Sequence, residues 1–215
     1  MGLKTLPNIF HKPDLSDDKW REMRNRVEQF EKDERERKHS QALKRSRIPD
    51  AYKNARLVYC DPAIREYSKA IGKGLVIDGK SGRGKTYSAC AILLKFVGKF
   101  PVHFVKSKEI VEASHPGSEG GQELIGICRK SKLLVIDDLG KEKPTDHALG
   151  EIWKLIDHRI SWIKPTIITT QYDKASMIER LASGDEKETA IAIISRLYGN
   201  DFDHITLTGQ DRRLQ

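Results

Sequence analysis

What this chain lacks narrows its class first. Cysteine is scarce: Cys60, Cys90 and Cys128 are odd in number, far apart and without a C-x-x-C pair. Neither a disulfide framework nor a zinc site fits that pattern, so the thiols are expected to be reduced and mostly buried. Long apolar runs are missing too. No segment approaches the ~20 residues a membrane helix needs, and the N-terminus has no continuous apolar stretch of a secretory signal. Leu6 breaks the myristoylation pattern that Met1-Gly2 would open. The expected location is the cytoplasm, with no membrane partner, and no internal repeat is visible. Aromatic residues make up 7% and hydrophobic residues 38% of the 215 positions. That fills one α/β core with an appendage, not two large domains.

Acidic charge is also in deficit. The net charge is +8, and within the first 47 residues Lys and Arg outnumber Asp and Glu by 13 to 9. An acidic polymer or surface suits such a chain, although basic charge alone is a weak sign of nucleic-acid binding. The expected division is a charged helical arm over 1–47 and a single α/β domain over 48–215.

What is present centres on Gly79-Lys80-Ser81-Gly82-Arg83-Gly84-Lys85-Thr86. It fits G-x-x-x-x-G-K-[ST], with an apolar strand, Leu75-Val76-Ile77, before it and a helical pattern through Ala89, Ile92, Leu93, Phe96 and Val97 after it. Glycines let the loop wind so that backbone N–H groups and a helix N-terminus converge on a phosphate chain. Lys85 would reach the β- and γ-phosphates, and the Thr86 hydroxyl would ligate Mg²⁺.

The arm opens with an irregular lead-in containing Pro7 and Pro13, and Ser16 reads as a helix N-cap. Trp20, Met23, Val27 and Phe30 follow at helical spacing, and from Glu31 to Arg47 the stripe dissolves into mixed charge. One short helix cannot bury that stripe alone, so it docks on the core or on a partner. Pro49 breaks the helix, and Asp61-Pro62 starts another with Asp as N-cap. Ser107 reads as the cap of a short helix, and Ser114 to Gly121 as a mobile or functional loop. Strands are expected around 101–105, 133–136, 165–171 and 204–207, with helices between them, including one whose apolar face runs through Ile191, Ile194 and Leu197. Strands alternating with helices imply a parallel sheet covered on both faces.

Asp137-Asp138 ends the apolar run Leu133-Leu134-Val135-Ile136. Alone, two acids at a strand end fit a surface turn equally well. About fifty residues after a complete P-loop they read as a Walker B pair, Asp137 holding Mg²⁺ and Asp138 polarising the attacking water. Thr169, Thr170 and Gln171 carry polar groups to the same sheet edge, where ligands of open α/β sheets bind. Gln171 is favoured as a contact to the γ-phosphate or its water, against a plain polar strand end. Arg196 ends an apolar helix, either solvated and complementing the helix dipole or poised as a finger toward a neighbouring subunit's γ-phosphate.

Taken in order, Ile48-Pro49 through Asn54-Ala55, the P-loop, Leu133 through Gly140, Pro165 through Gln171 and Ile194-Ser195-Arg196-Leu197 resemble the bacterial DnaC/DnaI-type helicase loaders and the related IstB proteins over about residues 48–208. The resemblance implies an AAA+ P-loop NTPase: an α/β fold with a parallel five-stranded sheet in order 5-1-4-3-2, helices on both faces and no helical lid. It implies ATP and Mg²⁺ as cofactors and P-loop contacts from Lys85 and Thr86. By position, Asp137 and Asp138 are its Walker B pair, Gln171 its sensor-1 residue and Arg196 a finger acting in trans. Gln171 stands where Asn is common, and the arm lacks the zinc-binding cysteines of the DnaI branch. The implied activity is ATP hydrolysis stimulated by self-association and single-stranded DNA, in loading a DnaB-type replicative helicase. An IstB-like transposition helper, or a nucleotide-switched DNA-binding module with negligible turnover, are the alternatives.

Overall fold

The computed structural model describes residues 17–142, 145–181 and 187–211. The chain divides into two compact units, Met1–Ser40 and Gln41–Gln215. In the first, the described residues belong to helix α1 (Asp17–Arg45), and the Ser16 cap lies outside them. Its charged face is laced at helical spacing: Lys38 pairs with Glu34 at 2.9 Å, and Gln29 donates to Asp33 at 2.7 Å. Met23, Val27 and Phe30 all stand exposed on it.

The second unit alternates strands and helices. β1 (Gly74–Asp78), β2 (Val102–Lys106), β3 (Leu133–Leu139), β4 (Thr166–Thr170) and β5 (Phe202–Thr206) form one parallel sheet in the order β2-β3-β4-β1-β5. Read from its other edge, this is the expected 5-1-4-3-2. The helices between are α3 (Lys85–Phe96), α4 (Ser107–Ser114), α5 (Gly121–Lys130), α6 (Asp146–Ser161), α7 (Lys174–Leu181) and α8 (Lys187–Leu197), with α2 (Pro62–Tyr67) before β1.

The pleat explains why apolar runs without alternation suit this sheet. Leu75 and Ile77 of β1, Leu133 and Val135 of β3 and Ile167 of β4 face one core, with α3 and Ile64 of α2. Val76, Leu134, Ile136 and Ile168 face the other, with α4 to α8. Both faces are covered, so both sets must be apolar. The edge strand β2 gains its cover from the segment that follows α1: Phe104 N donates to Ser46 O at 2.8 Å, and Ile48 is buried in the same core.

Asp61 caps α2 as expected, accepting from Ala63 N at 2.8 Å ahead of Pro62. All three cysteines are buried, and none forms a disulfide. Ser107 does not cap α4. It is the first helical residue, and the Glu109 carboxylate takes the Lys106 N–H at 2.8 Å instead, freeing the Ser107 hydroxyl for other partners. In α8 the buried face is Ala190, Ile193, Ile194 and Leu197, while Ile191 is 61% exposed, because the helix packs on a face rotated from the one its spacing suggested. Arg159, fully buried near the end of α6, donates to the carbonyls of Cys128, Ser131 and Pro165 and to Thr166 Oγ1 at 2.6–2.9 Å. Burial brings its pKa down to about 10, which leaves it charged at neutral pH. It ties the end of α5 to the start of β4. Among the described residues no helix is long and apolar enough to cross a membrane.

Candidate nucleotide site

The site lies at the carboxyl ends of the parallel strands, where an open α/β sheet leaves its crevice. β1 ends at Asp78, the loop Gly79–Gly84 follows, and α3 begins at Lys85. Gly84 is the N-cap of α3 in the left-handed region (φ 84°), a conformation that turns the loop directly into the helix and that other residues adopt only under strain. Gly82 (φ 76°) is tight for a second reason: a Cβ there would fall 1.9 Å from Asp211 Oδ1, from the segment after β5. The Lys85 side chain is folded back on its own loop, donating from Nζ to Gly79 O at 2.6 Å and Lys80 O at 2.9 Å.

β3 brings the two acids in by an irregularity. Its ladder with β4 shifts register between Ile136 and Leu139, and Asp138 sits at φ 61°. In a regular strand neighbouring side chains point to opposite faces. The bulge and the left-handed residue re-aim them, so that Asp137 and Asp138 both line one cleft. Thr86 Oγ1 donates to Asp137 Oδ1 at 2.8 Å, and Thr169 Oγ1 donates to the same oxygen at 2.5 Å while accepting from Asp138 N at 3.0 Å. Thr169 on β4 is thus a clamp on both acids. Burial holds the Asp137 carboxyl above the ordinary carboxylate range, opposed by the Thr169 and Thr86 hydroxyls. Asp138 is more open, and its Oδ2 pairs with Lys141 Nζ at 2.7 Å. Behind the acids, Glu142 accepts from Ser107 Oγ at 2.5 Å and from Gly140 N at 3.0 Å, and Arg180 of α7 donates to Gly140 O at 3.0 Å and Glu142 O at 2.9 Å. This network fixes the turn that follows the bulge.

Together these elements enclose a cleft of about 480 Å³. Ser81 to Thr86, both acids and Gln171 line it, so the structure brings together the expected P-loop, acid and strand-end residues. Arg196 is not among them: it sits in the last turn of α8, paired with Asp157 at 2.9 Å. Residues to which the sequence assigned no site role also line the cleft. Pro49, Tyr52 and Tyr87 form its apolar side, with the Tyr87 hydroxyl accepting from Arg56 N at 3.0 Å, and Lys106 and Lys141 add positive charge. The polar end of β4 was visible in sequence, but emphasis on Gln171 missed the buried Thr169. Lys141 gave no signal, since only the turn after the bulge brings it back to Asp138.

The donor set suits a hard cation of small size. A hydroxyl and a carboxylate oxygen 2.8 Å apart supply two oxygens. Among the described residues no group of three or more His, Cys, Asp or Glu side chains could form a full protein cage. Mg²⁺ bound through few protein oxygens, with water and phosphate completing its shell, fits this pattern.

A P-loop on a 5-1-4-3-2 parallel sheet, with paired acids at the end of the third strand, is the arrangement of the AAA+ P-loop fold. Among solved structures the chain is similar to DnaI at 22% identity and a TM-score of 0.63, over 74% of this chain and 94% of that one. It is similar to the DnaC helicase loader at 26% identity and a TM-score of 0.60, over 74% of this chain and all of that one. The replication initiator DnaA bound to AMPPCP and single-stranded DNA matches at 16% identity and a TM-score of 0.58, over 77% of this chain and 53% of that one. No protein-family model matches the sequence, and no curated protein matches it. The resemblance to DnaC/DnaI-type AAA+ proteins read from the motifs holds in the fold.

Proposed function

We propose that this chain is a cytoplasmic Mg²⁺-dependent ATPase that loads a DnaB-type replicative helicase onto single-stranded DNA. The observation that carries the reading is the Thr86–Asp137–Thr169 contact, in which P-loop, β3 and β4 meet at one carboxylate oxygen. The likeness to the DnaC helicase loader supports the choice of task.

In the proposed reaction ATP and water give ADP and phosphate. The P-loop N–H groups and the α3 N-terminus bind the phosphate chain. Lys85 exchanges its two carbonyl partners for the β- and γ-phosphate oxygens, and Pro49, Tyr52 and Tyr87 take the base. Thr86 and Asp137 would hold Mg²⁺, and the bound ion would supply positive charge against the phosphate chain. Asp138 orients the attacking water and receives its proton, after leaving Lys141. Gln171 contacts the γ-phosphate or that water. Arg196 acts on the site of a neighbouring copy, after leaving Asp157, so assembly is what raises turnover. An isolated chain has Asp138 and Arg196 each held by a counter-charge and hydrolyses slowly.

The test is capture of a purified DnaB-type helicase by the full chain and by a chain lacking residues 1–40, scored beside phosphate release with and without single-stranded DNA. Helicase capture that depends on the arm, with DNA-stimulated ATP turnover, is expected. Turnover without any helicase capture would sink the loader assignment and leave a different AAA+ task.

A further inference from the structure

The N-terminal edge of the sheet carries a surface the nucleotide site does not use. α6 ends at Ser161, and the chain turns through Trp162 and Ile163 before β4 begins at Thr166. Trp162 is 65% exposed and Ile163 83%, a large apolar pair left in water at a turn. The charge around them is predominantly positive. Lys164 donates from Nζ to Arg129 O at 2.8 Å, which joins this turn to the end of α5, where Arg129, Lys130 and Lys132 are all exposed. The His158 ring lies 6.0 Å from the Trp162 ring, and its pKa is held down by desolvation and then by Arg129 and Lys164, so the cations and the indole share one neighbourhood. Among the described residues none of Arg129, Lys130, Lys132 and Lys164 takes part in an ion pair.

The ordinary role of cations at a helix end is to complement the dipole. Arg159 takes the carbonyls of Cys128 and Ser131 and Lys164 that of Arg129, so the side chains of Arg129, Lys130 and Lys132 are not needed for it. In the isolated chain Asp157 is paired with Arg196. Asp201 shares a shallow cavity of about 200 Å³ with Ile163 and Lys164, and leaves the balance positive.

We infer that this surface binds single-stranded nucleic acid, with Trp162 as a stacking platform and Arg129, Lys130, Lys132 and Lys164 on the phosphates. An open aromatic face among cations that make no ion pair with the described residues matches the two demands of a single strand, a π-surface for an unstacked base and positive charge along the backbone. A duplex hides its base faces, and an acidic protein does not need the indole. The inference rests on the proposed function only in taking DNA as the strand. The five residues of β4 put roughly 17 Å of strand between this turn and the nucleotide cleft, so the two surfaces can be perturbed separately.

The test uses the full chain and a fluorescent oligo-dT, read by anisotropy at several salt concentrations, with poly-glutamate as a second probe. Trp162→Ala is expected to weaken oligo-dT binding by roughly tenfold, and Trp162→Phe to retain most of it. Lys130→Glu is expected to weaken binding and to reduce the slope against log salt by about one. Binding of a fluorescent ATP analogue stays unchanged in all three, which shows that the fold and the nucleotide site are intact. Oligo-dT affinity unchanged by both Trp162→Ala and Lys130→Glu overturns the inference and leaves the ATPase and helicase readings standing. Trp162-dependent binding of poly-glutamate without binding of oligo-dT also overturns it, in favour of an acidic protein partner.

Discussion

Replacing Thr169 by Val tests whether one buried hydroxyl organises both acids. The substitution keeps the β-branched shape and removes only the oxygen, at a position that is fully buried. Two interactions go together: the donation to Asp137 Oδ1 at 2.5 Å and the acceptance from Asp138 N at 3.0 Å. A hydrogen bond to a charged group contributes about 1.5–3 kcal/mol, and an orphaned buried N–H costs about 1–3 kcal/mol. The terms do not simply add. Burial already favours the protonated form of Asp137, so loss of the hydroxyl can be relieved in part by uptake of a proton. A net loss of about 3 kcal/mol is expected, which in a domain of this size lowers Tm by about 6–12 °C. Thermal and urea denaturation measure it, with Thr169→Ser as the control that restores the oxygen. Mg²⁺-dependent binding of ATP should weaken in parallel, because the carboxylate loses the contact that orients it. Stability within about 0.5 kcal/mol of the parent, or equal damage from Ser and Val, would refute the clamp.

Three further outcomes follow from the same geometry. Lys141→Ala frees Asp138 from an exposed pair, so stability should change by less than about 1 kcal/mol while basal phosphate release from the isolated chain rises; unchanged or lower release argues against a restraint on Asp138. Arg196→Ala and Asp138→Asn should each abolish DNA-stimulated turnover, and mixing the two inactive chains should restore part of it; no recovery on mixing rejects action in trans. His103, buried on β2 with its Nδ1 3.2 Å from Arg45 O, has its pKa lowered chiefly by desolvation. Because the folded chain favours the neutral ring, this contribution to stability is complete above the unfolded value of about 6.5 and is lost as pH falls through it toward the lower folded value. Urea midpoints measured from pH 7.5 down to 5.5 should fall, and His103→Leu should flatten that dependence.

The phosphate loop was legible because its chemistry is local: eight consecutive residues, a strand before and a helix after. The strand order came through the resemblance, since alternating patterns imply a parallel sheet without ordering it. The parts that spacing could not reach depend on contacts between distant segments. Ser107 looked like a cap, but a carboxylate three residues after Lys106 took that role and the hydroxyl went to Glu142. The buried face of α8 depends on what α6 and α7 present to it, which the helical period of α8 does not contain. Thr169 and Gln171 are equally polar on paper; the bulge in β3 decides which of them meets the acids.

The cover over β2 has a practical consequence for handling the protein. One backbone hydrogen bond, from Phe104 to Ser46, together with Ile48 packed beneath, blocks the middle of the edge that β2 would otherwise offer to any passing strand. A chain shortened past Ser46 would unblock that edge, and edge-to-edge association between molecules is the expected outcome. Precipitation of such a fragment would then report a stripped seam rather than a lost partner, so a cut that removes the arm belongs at Ser40.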